Sequence, residues 1–359
     1  MEAMPGVYIS YPFCAQKCTY CNFASGVFPK DLENRYVAAV VAELRGVQWP
    51  WTPETVYLGG GTPSQMDPRV FLDEVPGRPW REATIEAAPG TIDGDKAVGW
   101  RRAGINRVSL GVQSFISREL ARTGRKHTAE TVAHDVAALR DAGIDSISID
   151  LIAGLPGQTR QSWSESLDWV ERLGAPHASV YMLEVDEDSR LGREILARGA
   201  RYGASDVPSD DEIADFYEIA VERLKCAGLA RYEISNFARP GFESAHNLKY
   251  WRREPYLGFG ADAHSFDGEW RWQNAESAAE YVKSVHSEER VAADAVAERF
   301  FLGLRLDEGI EGRWEPFEDA IERSIGEGLL EFDGQRLRLT SRGVLLSNEV
   351  FAEFVGVVA

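Results

Sequence analysis

Cysteine is scarce in this 359-residue chain: there are 4, and three of them, Cys14, Cys18 and Cys21, lie within one eight-residue stretch. Thiols this few and this clustered exclude the disulfide framework of a small secreted protein. They favour a metal or cluster site in a reducing compartment, which predicts a cytoplasmic protein.

Long apolar runs and an excess of basic residues are also missing. No stretch approaches the ~18 consecutive apolar residues of a membrane span, and residues 1–6 lack the basic and apolar regions of a signal peptide. The chain has 39 Lys and Arg against 57 Asp and Glu, a formal net charge of −18. Such a charge repels phosphate backbones, so we expect neither a nucleic-acid partner nor a membrane span.

Six short stretches rich in β-branched and aromatic residues alternate with helical patterns in the first part of the chain. The predicted strands are Gly6–Ser10, Thr55–Leu58, Ala83–Ala87, Arg107–Val112, Ser146–Ile152 and Ala178–Leu183. The predicted helices between them include Leu32–Leu44, Asp93–Ala103, Thr128–Ala142 and Ser162–Leu173. Regular alternation of this kind indicates parallel strands with right-handed crossovers. It predicts the α/β class, as a partial (β/α)6 TIM-like barrel.

Polar residues stand at or just after the end of each predicted strand. They are Cys14–Cys21, Gly59–Thr62, Glu86, Gln113, Asp150 and Glu184. Active sites of α/β barrels lie at the carboxyl ends of the strands. We therefore expect these groups to meet at one mouth of the barrel.

The rest of the chain divides into two further predicted parts. The barrel is expected over residues 1–245, an aromatic-rich segment and linker over 246–290, and a small C-terminal α+β domain over 291–359. The patterns of that last domain resemble a winged helix, with a helix, a hairpin and a second helix at Ile321–Leu330, Leu337–Thr340 and Arg342–Phe354.

The Cys-x3-Cys-x2-Cys spacing supplies three thiolates, one fewer than a closed iron–sulfur or zinc site needs. An incomplete set leaves one iron open, and the amino and carboxylate groups of a small cofactor could chelate it. The alternatives are a zinc ion with a distant fourth ligand such as His127, or three unrelated thiols. We expect Cys226, on a predicted helix, to be buried in the core.

Seven motifs spread over most of the chain carry a family resemblance. They are Tyr8–Phe23, Gly59–Ser64, Gly111–Phe115, Asp150–Thr159, Tyr232–Phe237, His246–Trp251 and Leu339–Gly343. In these motifs the chain resembles the radical S-adenosylmethionine (SAM) superfamily, in the branch that holds oxygen-independent coproporphyrinogen III oxidase and the HemW-type haem chaperones. The resemblance implies a radical SAM barrel and a HemN-type C-terminal domain.

The resemblance also implies a [4Fe–4S] cluster on Cys14, Cys18 and Cys21 whose fourth iron binds SAM. Tyr20 would pack on the adenine of SAM, and the backbone of Gly60, Gly61 and Thr62 would meet its methionine amino group. The remaining implied cofactor contacts are Tyr8, Glu86, Gln113, Arg125 and Asp150. The charged members of this set could instead form ordinary ion pairs.

His246, Asn247, Tyr250 and Trp251 match the His-Asn-x-x-Tyr-Trp element, which the resemblance places near haem. An imidazole beside aromatic rings suits a porphyrin iron. The alternative is that the aromatic residues pack in the core and His246 is a satisfied polar group. Two residues depart from the family pattern, Ser10 where histidine is usual and Ala88 where asparagine is usual.

The resemblance therefore implies a haem chaperone that binds haem, SAM and a cluster and passes haem to an acceptor protein. The alternative is an enzyme, coproporphyrinogen III dehydrogenase, which uses a 5′-deoxyadenosyl radical. Those oxidases have a fourth cysteine where this chain has Phe23, and a longer segment than the 13 residues that precede Cys14. Both differences favour the chaperone. A zinc-stabilised interaction module explains none of the predicted mouth residues.

Overall fold

A computed structural model of the chain describes residues 5–284 and 289–355, and its main element is a 12-stranded sheet. The strands of this sheet are β1 (Gly6–Tyr11), β2 (Thr55–Gly60), β3 (Glu82–Ala87), β4 (Arg107–Gln113), β5 (Ser146–Ala153), β6 (His177–Met182), β7 (Ala230–Arg231), β8 (Asn236–Ala238), β9 (Tyr256–Phe259), β10 (His264–Phe266), β11 (Trp270–Gln273) and β12 (Val291–Ala292).

Strands β1 to β6 lie side by side in chain order, and every neighbouring pair is parallel. All six predicted strands are confirmed, as is the partial α/β barrel. Strand β9 was not predicted. It joins the free edge of β1 in parallel, so the parallel part of the sheet has seven strands. Antiparallel strands continue the sheet beyond β9 and beyond β6.

Helices connect the parallel strands, and further helices follow the last of these strands. They are α1 (Lys30–Gly46), α2 (Arg69–Leu72), α3 (Gly94–Arg102), α4 (Ser117–Arg122), α5 (Ala129–Asp141), α6 (Arg160–Leu173), α7 (Arg190–Leu196), α8 (Asp210–Cys226), α9 (Ala245–Trp251), α10 (Ala278–Tyr281), α11 (Ala295–Gly303), α12 (Glu318–Gly326), α13 (Ser341–Leu345) and α14 (Ser347–Ala352). Over the residues described, no helix combines the length and the apolar character of a membrane span.

Local sequence explains where the crossover helices begin and end. The side chain of Thr159 accepts from the Ser162 N–H at the start of α6, and Gly174 ends the helix in the left-handed conformation, at φ 60°. The face of α6 that carries Trp163 and Leu167 is buried, and the Trp163 indole N–H donates to the Phe216 carbonyl of α8 at 2.7 Å. Burying such a side chain contributes about 1.5–3 kcal/mol, so this face holds the helix in place.

The prediction that Cys226 is buried is wrong. Helix α8 buries residues at helical spacing, among them Phe216, Ala220 and Leu224. Cys226 lies two residues beyond the last of these positions, and a step of two residues turns the side chain to the opposite face. Its thiol is free and exposed.

The C-terminal residues form a separate three-stranded antiparallel sheet in the order β13 (Ile310–Glu311), β15 (Arg336–Leu339), β14 (Leu330–Phe332). Helices α12 to α14 accompany it. The predicted helix over Arg342–Phe354 is two helices, because Leu346, at φ −112° and ψ 27°, leaves the helical conformation.

The segment predicted as aromatic-rich linker is largely part of the barrel. It supplies β9, β10 and β11 to the main sheet, and Tyr281 of α10 packs on Tyr36 of α1 with ring centroids 5.0 Å apart. Residues 285–288 of the predicted linker, and residues 1–4 and 356–359 at the ends of the predicted domains, lie outside the described residues.

Candidate cofactor site

A cavity of about 660 Å³ opens at the carboxyl ends of the parallel strands. Predicted site residues line it from the loop after β1 and from the ends of β2 to β6: Cys14, Cys18, Tyr20, Cys21, Gly60, Gly61, Thr62, Glu86, Gln113, Arg125, Asp150 and Glu184. Tyr8 lines an adjoining cavity of about 150 Å³, which shares Glu86 and Phe23 with the first. The structure therefore gathers the residues of six strand ends around one mouth.

The three clustered cysteines lie on a closed loop between β1 and α1, the cluster loop (residues 14–26). The Cys14 N–H donates to the Gly26 carbonyl at 2.8 Å, and the Gly26 N–H donates to the Pro12 carbonyl at 2.9 Å. All three thiols are free, half-buried and open to the cavity. The closed loop therefore presents three unpaired thiols to one space.

Other parts of the barrel hold the outer side of the cluster loop. The Thr19 N–H donates to the Thr123 carbonyl at 3.3 Å, and the Thr19 carbonyl accepts from the Leu191 N–H at 2.8 Å. The Arg190 guanidinium donates to the Lys17 carbonyl. The loop is thus tied to the ends of α4 and α7.

The three thiols suit an iron–sulfur cluster, because a cluster offers a separate iron to each thiolate. His127, the alternative zinc ligand, lines the same cavity, and burial together with the Arg125 charge lowers its pKa to about 4.

The glycine turn after β2 packs directly under the cluster loop. A Cβ on Gly61 would lie 2.7 Å from the Phe13 carbonyl oxygen, so only glycine allows this approach. The N–H groups of Gly60, Gly61 and Thr62 donate to Glu86, Tyr11 and Phe13 respectively. With these donors engaged, the turn can offer carbonyl oxygens to a ligand, which suits an ammonium group.

Two buried carboxyl groups face the same cavity. Glu86 accepts from Tyr57 at 2.9 Å and from the Gly60 N–H at 3.0 Å, and burial raises its pKa to about 7. Asp150 accepts from Ser109 at 2.8 Å and from Ser148 at 2.9 Å, and burial raises its pKa as well. Both groups are held in place by neighbours and can accept from ligand hydroxyls.

Arg125 brings a positive charge beside the cluster loop. Its Nη1 donates to the Gly111 carbonyl at 2.5 Å, and its Nε is buried without a hydrogen-bond partner in the described structure. Burial acts to lower its pKa, but Tyr20 and Cys18 outweigh that effect and raise it. The neighbouring Gln113 adopts a positive φ of 69°, where β4 departs from regular register. The Arg125 side chain lines the cavity, and a guanidinium is the group that binds a carboxylate ligand in a bidentate way.

His246 does not lie at this cavity. It packs at the opposite end of the strands, beside Gly6 and Thr55, which begin β1 and β2. Its Nδ1 pairs with Thr55 Oγ1 and its Nε2 with Tyr250 Oη, both at 2.8 Å. Burial lowers its pKa to about 3, so the ring is neutral, and both nitrogens are occupied. In this structure His246 therefore has no free ring nitrogen for a haem iron.

The other residues of the His-Asn-x-x-Tyr-Trp element also serve packing. The Asn247 N–H donates to the Ser244 side chain at the start of α9. Tyr250 packs edge-on against Tyr256, with centroids 4.6 Å apart. The ring of Trp251 lies 4.2 Å from the Arg305 guanidinium. The structure agrees with the packing alternative for this element.

The cavity has further lining residues to which the sequence analysis gave no role in binding. Among them are Lys17, Phe23, Lys126, Tyr181, Met182 and Leu183. Tyr181, Met182 and Leu183 could have been predicted from Glu184, because they precede it at the end of the same strand. Lys17 and Lys126 had no signal beyond their closeness to Cys18 and Arg125.

Comparisons with known proteins agree with this architecture. The family model described as Radical SAM superfamily matches residues 8–170, and the HemN C-terminal domain model matches residues 292–346. In the solved structure of coproporphyrinogen III oxidase (HemN) from Escherichia coli, 91% of that chain aligns with 99% of this one. The TM-score is 0.81 and the identity 22%, which shows the shared fold.

Full-length sequence relatives are more similar. The protein named Heme chaperone HemW from Lactococcus lactis is 32% identical, covering 97% of this chain and 96% of its own length. The HemW from Mycobacterium tuberculosis is 35% identical, covering 98% and 95%. With this identity over nearly the whole length, and with a radical SAM barrel carrying three thiols at its mouth, the chain belongs to the HemW-type haem chaperone family of the radical SAM superfamily.

Proposed function

We propose that this protein is a haem chaperone that holds a SAM-liganded [4Fe–4S] cluster and transfers haem to an acceptor protein. The observation that supports it most is the similarity, over 97% of the chain, to proteins named heme chaperone. The gathering of three free thiols, an arginine side chain and two carboxyl groups around one cavity supports the cofactor part.

The cluster would be held by Cys14, Cys18 and Cys21, and SAM by the groups that line the cavity beside them. When bound, the cluster supplies an iron with an open coordination position and a redox centre. Arg125 would bind the SAM carboxylate, and the carbonyls of Gly60–Thr62 its ammonium group.

The remaining contacts belong to the nucleoside half of the cofactor. Glu86 and Asp150 would accept from ribose hydroxyls, because burial and fixed hydrogen bonds hold both carboxyl groups at the cavity wall. Tyr20 and Tyr8 would pack near the adenine, and Gln113 would contact the cofactor beside Arg125. Free thiols persist in a reducing compartment, so we place this activity in the cytoplasm.

The oxidase alternative is less well supported. The likeness to coproporphyrinogen III oxidase is one of fold, at 22% identity. The position of the oxidases' fourth cysteine is occupied by Phe23, whose ring is 65% exposed and offers no ligand to a metal. We therefore infer haem binding rather than oxidative decarboxylation.

Anaerobic reconstitution with iron and sulfide, followed by two separate assays, tests this function. The reconstituted protein is titrated with haem while the Soret band is recorded, and a second sample receives coproporphyrinogen III, SAM and a reductant. We expect stoichiometric haem binding and no protoporphyrinogen. Protoporphyrinogen formation without haem uptake would make the protein an oxidase.

The cluster assignment makes a separate prediction about the four thiols. Changing Cys14, Cys18 or Cys21 to Ala should abolish the visible thiolate-to-iron absorption and most of the bound iron, because each thiolate holds one iron. Cys226→Ala is the matched control, since its exposed thiol lies on α8 and does not line the cavity. Equal loss in all four variants would contradict the assignment.

A further inference from the structure

Two exposed aromatic side chains line the cofactor cavity. Fourteen large apolar or aromatic side chains are exposed among the described residues, and Phe23 and Tyr181 are the two of these that line the cavity. Phe23 lies in the cluster loop, and Tyr181 lies near the end of β6. Side chains scattered singly need no explanation, but a group that rims a cavity marks a binding surface.

Phe23 is the most exposed member of this group. Its side chain is 65% exposed, and it lines both the 660 Å³ cavity and the adjoining 150 Å³ cavity. Tyr181, on the other side of the mouth, is also exposed and lines the larger cavity. Two aromatic side chains thus border the opening from opposite sides, which suits a flat apolar ligand.

The charges at the mouth are divided between its two sides. Lys17 and Lys126 line the cavity on the side of the cluster loop and α5, and the Lys17 ammonium donates to the Phe23 carbonyl at 3.1 Å. Glu184, after β6, lines the same cavity. In a protein with a formal charge of −18, the cavity lining thus includes two lysines, one of which is bonded to the backbone of the exposed Phe23.

We propose that haem docks across this mouth, with its ring on Phe23 and its propionates directed to Lys17 and Lys126. The ligand that fits is a flat apolar plate with two carboxylates on one edge. The Glu184 carboxylate, after β6, repels those carboxylates, so the plate has one favoured orientation. This placement rests on the proposed chaperone function and adds the residues that would bind its cargo.

His246 is the competing site, and the two placements are separable by mutation. His246 is buried at the other end of the strands with both ring nitrogens engaged, so haem could reach it only after α9 moves. Phe23, Lys17 and Lys126 are accessible without any rearrangement. Substitutions at these three positions are also unlike core substitutions, because they remove no buried packing.

The test is a haem titration of the reconstituted protein and its variants, followed by the Soret band. Phe23→Ala should weaken haem binding by about ten- to a hundredfold, the equivalent of removing one buried aromatic contact. Phe23→Trp should retain wild-type affinity, because it keeps a flat ring. Phe332→Ala is the matched control, since Phe332 is an exposed phenylalanine on β14 of the C-terminal sheet.

The lysines are tested with two forms of the ligand. The Lys17→Gln/Lys126→Gln double variant should bind haem about three- to tenfold more weakly at low salt, and the loss should shrink as salt rises. It should bind haem dimethyl ester, which has no free propionate, as tightly as wild type does. Cluster absorption and circular dichroism of each variant confirm that the fold and the cluster are intact.

The outcomes separate this placement from the proposed function. Wild-type haem binding that is unchanged in the Phe23 and lysine variants, but lost in His246→Gln, would overturn the placement and keep the chaperone function. A wild-type protein that binds no haem would overturn both. Should Phe23→Ala lose its cluster, the lysine double variant with the two ligand forms still decides the placement.

Discussion

Glu86 is a residue of the cofactor cavity whose protonation affects the stability of the whole barrel. Burial raises its pKa from 4.5 to about 7, although Tyr57 and the Gly60 N–H partly oppose the change by donating hydrogen bonds to it. At pH values between these two, the folded protein binds a proton that the unfolded chain releases. The protonated form is therefore the one that folding favours.

Glu86 should make the protein less stable as pH rises through this window. The free energy of unfolding falls between about pH 4.5 and pH 7, by about 3 kcal/mol in total, and Glu86 contributes no further change above its folded pKa. Glu86→Gln cannot ionise, so its stability should lack this fall. Urea unfolding of both proteins at pH 5 and pH 8 measures the difference, and identical pH dependence would contradict the raised pKa.

Arg125 and Asp150 should affect SAM binding without affecting the cluster. Arg125 lines the cavity, and Asp150 is held there by Ser109 and Ser148. Removing either side chain to Ala deletes one charge-assisted contact, worth roughly 1.5–3 kcal/mol, or about ten- to a hundredfold in SAM affinity. Isothermal titration with SAM measures the loss, and unchanged iron content in the same samples shows that the cluster is retained.

His246 and Cys226 show what single residues do not reveal in a sequence. A motif identified His246. The end of the sheet at which α9 docks depends on the pairing of β9 with β1, whose partners Val7 and Leu257 are 250 residues apart, and no local sequence pattern reports such a pairing. The exposure of Cys226 could have been predicted from helical periodicity alone, because Cys226 does not lie on the buried face of α8. The cluster cysteines were predictable because all three lie in one loop.

At the scale of elements, α7 and the loop before it act as a strap over the cluster loop. The Arg190 guanidinium and the Leu191 N–H both reach carbonyls of that loop, and the Asn22 side chain donates to Asp186 at 3.5 Å. The cluster loop consists mainly of thiols and polar residues, so few apolar contacts hold it. These hydrogen bonds therefore determine how often the loop opens.

Cutting one tether should make the cluster easier to lose. Arg190→Ala removes the side-chain bond to the Lys17 carbonyl and should speed cluster loss to a strong iron chelator severalfold, because the loop opens more often. Arg193→Ala is the matched control, since Arg193 lies on the same helix and donates to the Asp188 carbonyl outside the cluster loop. The decay of visible absorption under anaerobic conditions gives both rates, and equal rates would show that α7 does not act as a strap.

The elements that the sequence predicted well are those with strong local periodicity. Strands β1 to β6 alternate with amphipathic helices, and their predicted bounds differ from the observed ones by at most two residues. Strand β9 escaped prediction because Tyr256–Phe259 lies among aromatic residues that suggested a ligand surface, and its pairing with β1 is a long-range contact. The break between α13 and α14 depends on one backbone conformation, at Leu346, that apolar periodicity does not report.

At the scale of the whole molecule, Arg305 joins the C-terminal part of the chain to the barrel. Its guanidinium lies 4.2 Å from the ring centre of Trp251 on α9 and 3.9 Å from the carboxylate of Glu233, which is fully buried. Its charge also interacts with Glu184 at the rim of the cofactor cavity. One side chain after α11 therefore contacts the barrel at two places and acts electrostatically on a third.

Removing Arg305 should destabilise the whole protein, because Glu233 would remain buried without its cation. Burial already raises the pKa of Glu233, and the Arg305 charge is the largest effect that opposes this rise. Arg305→Ala should lower the free energy of unfolding by about 2–4 kcal/mol, as expected when one partner of a buried pair is lost. The Arg305→Leu/Glu233→Gln double variant should recover much of that loss, since it leaves no unpaired charge. Urea unfolding followed by tryptophan fluorescence measures all three proteins, and a double variant no more stable than Arg305→Ala would show that Trp251 stacking, rather than the ion pair, carries the junction.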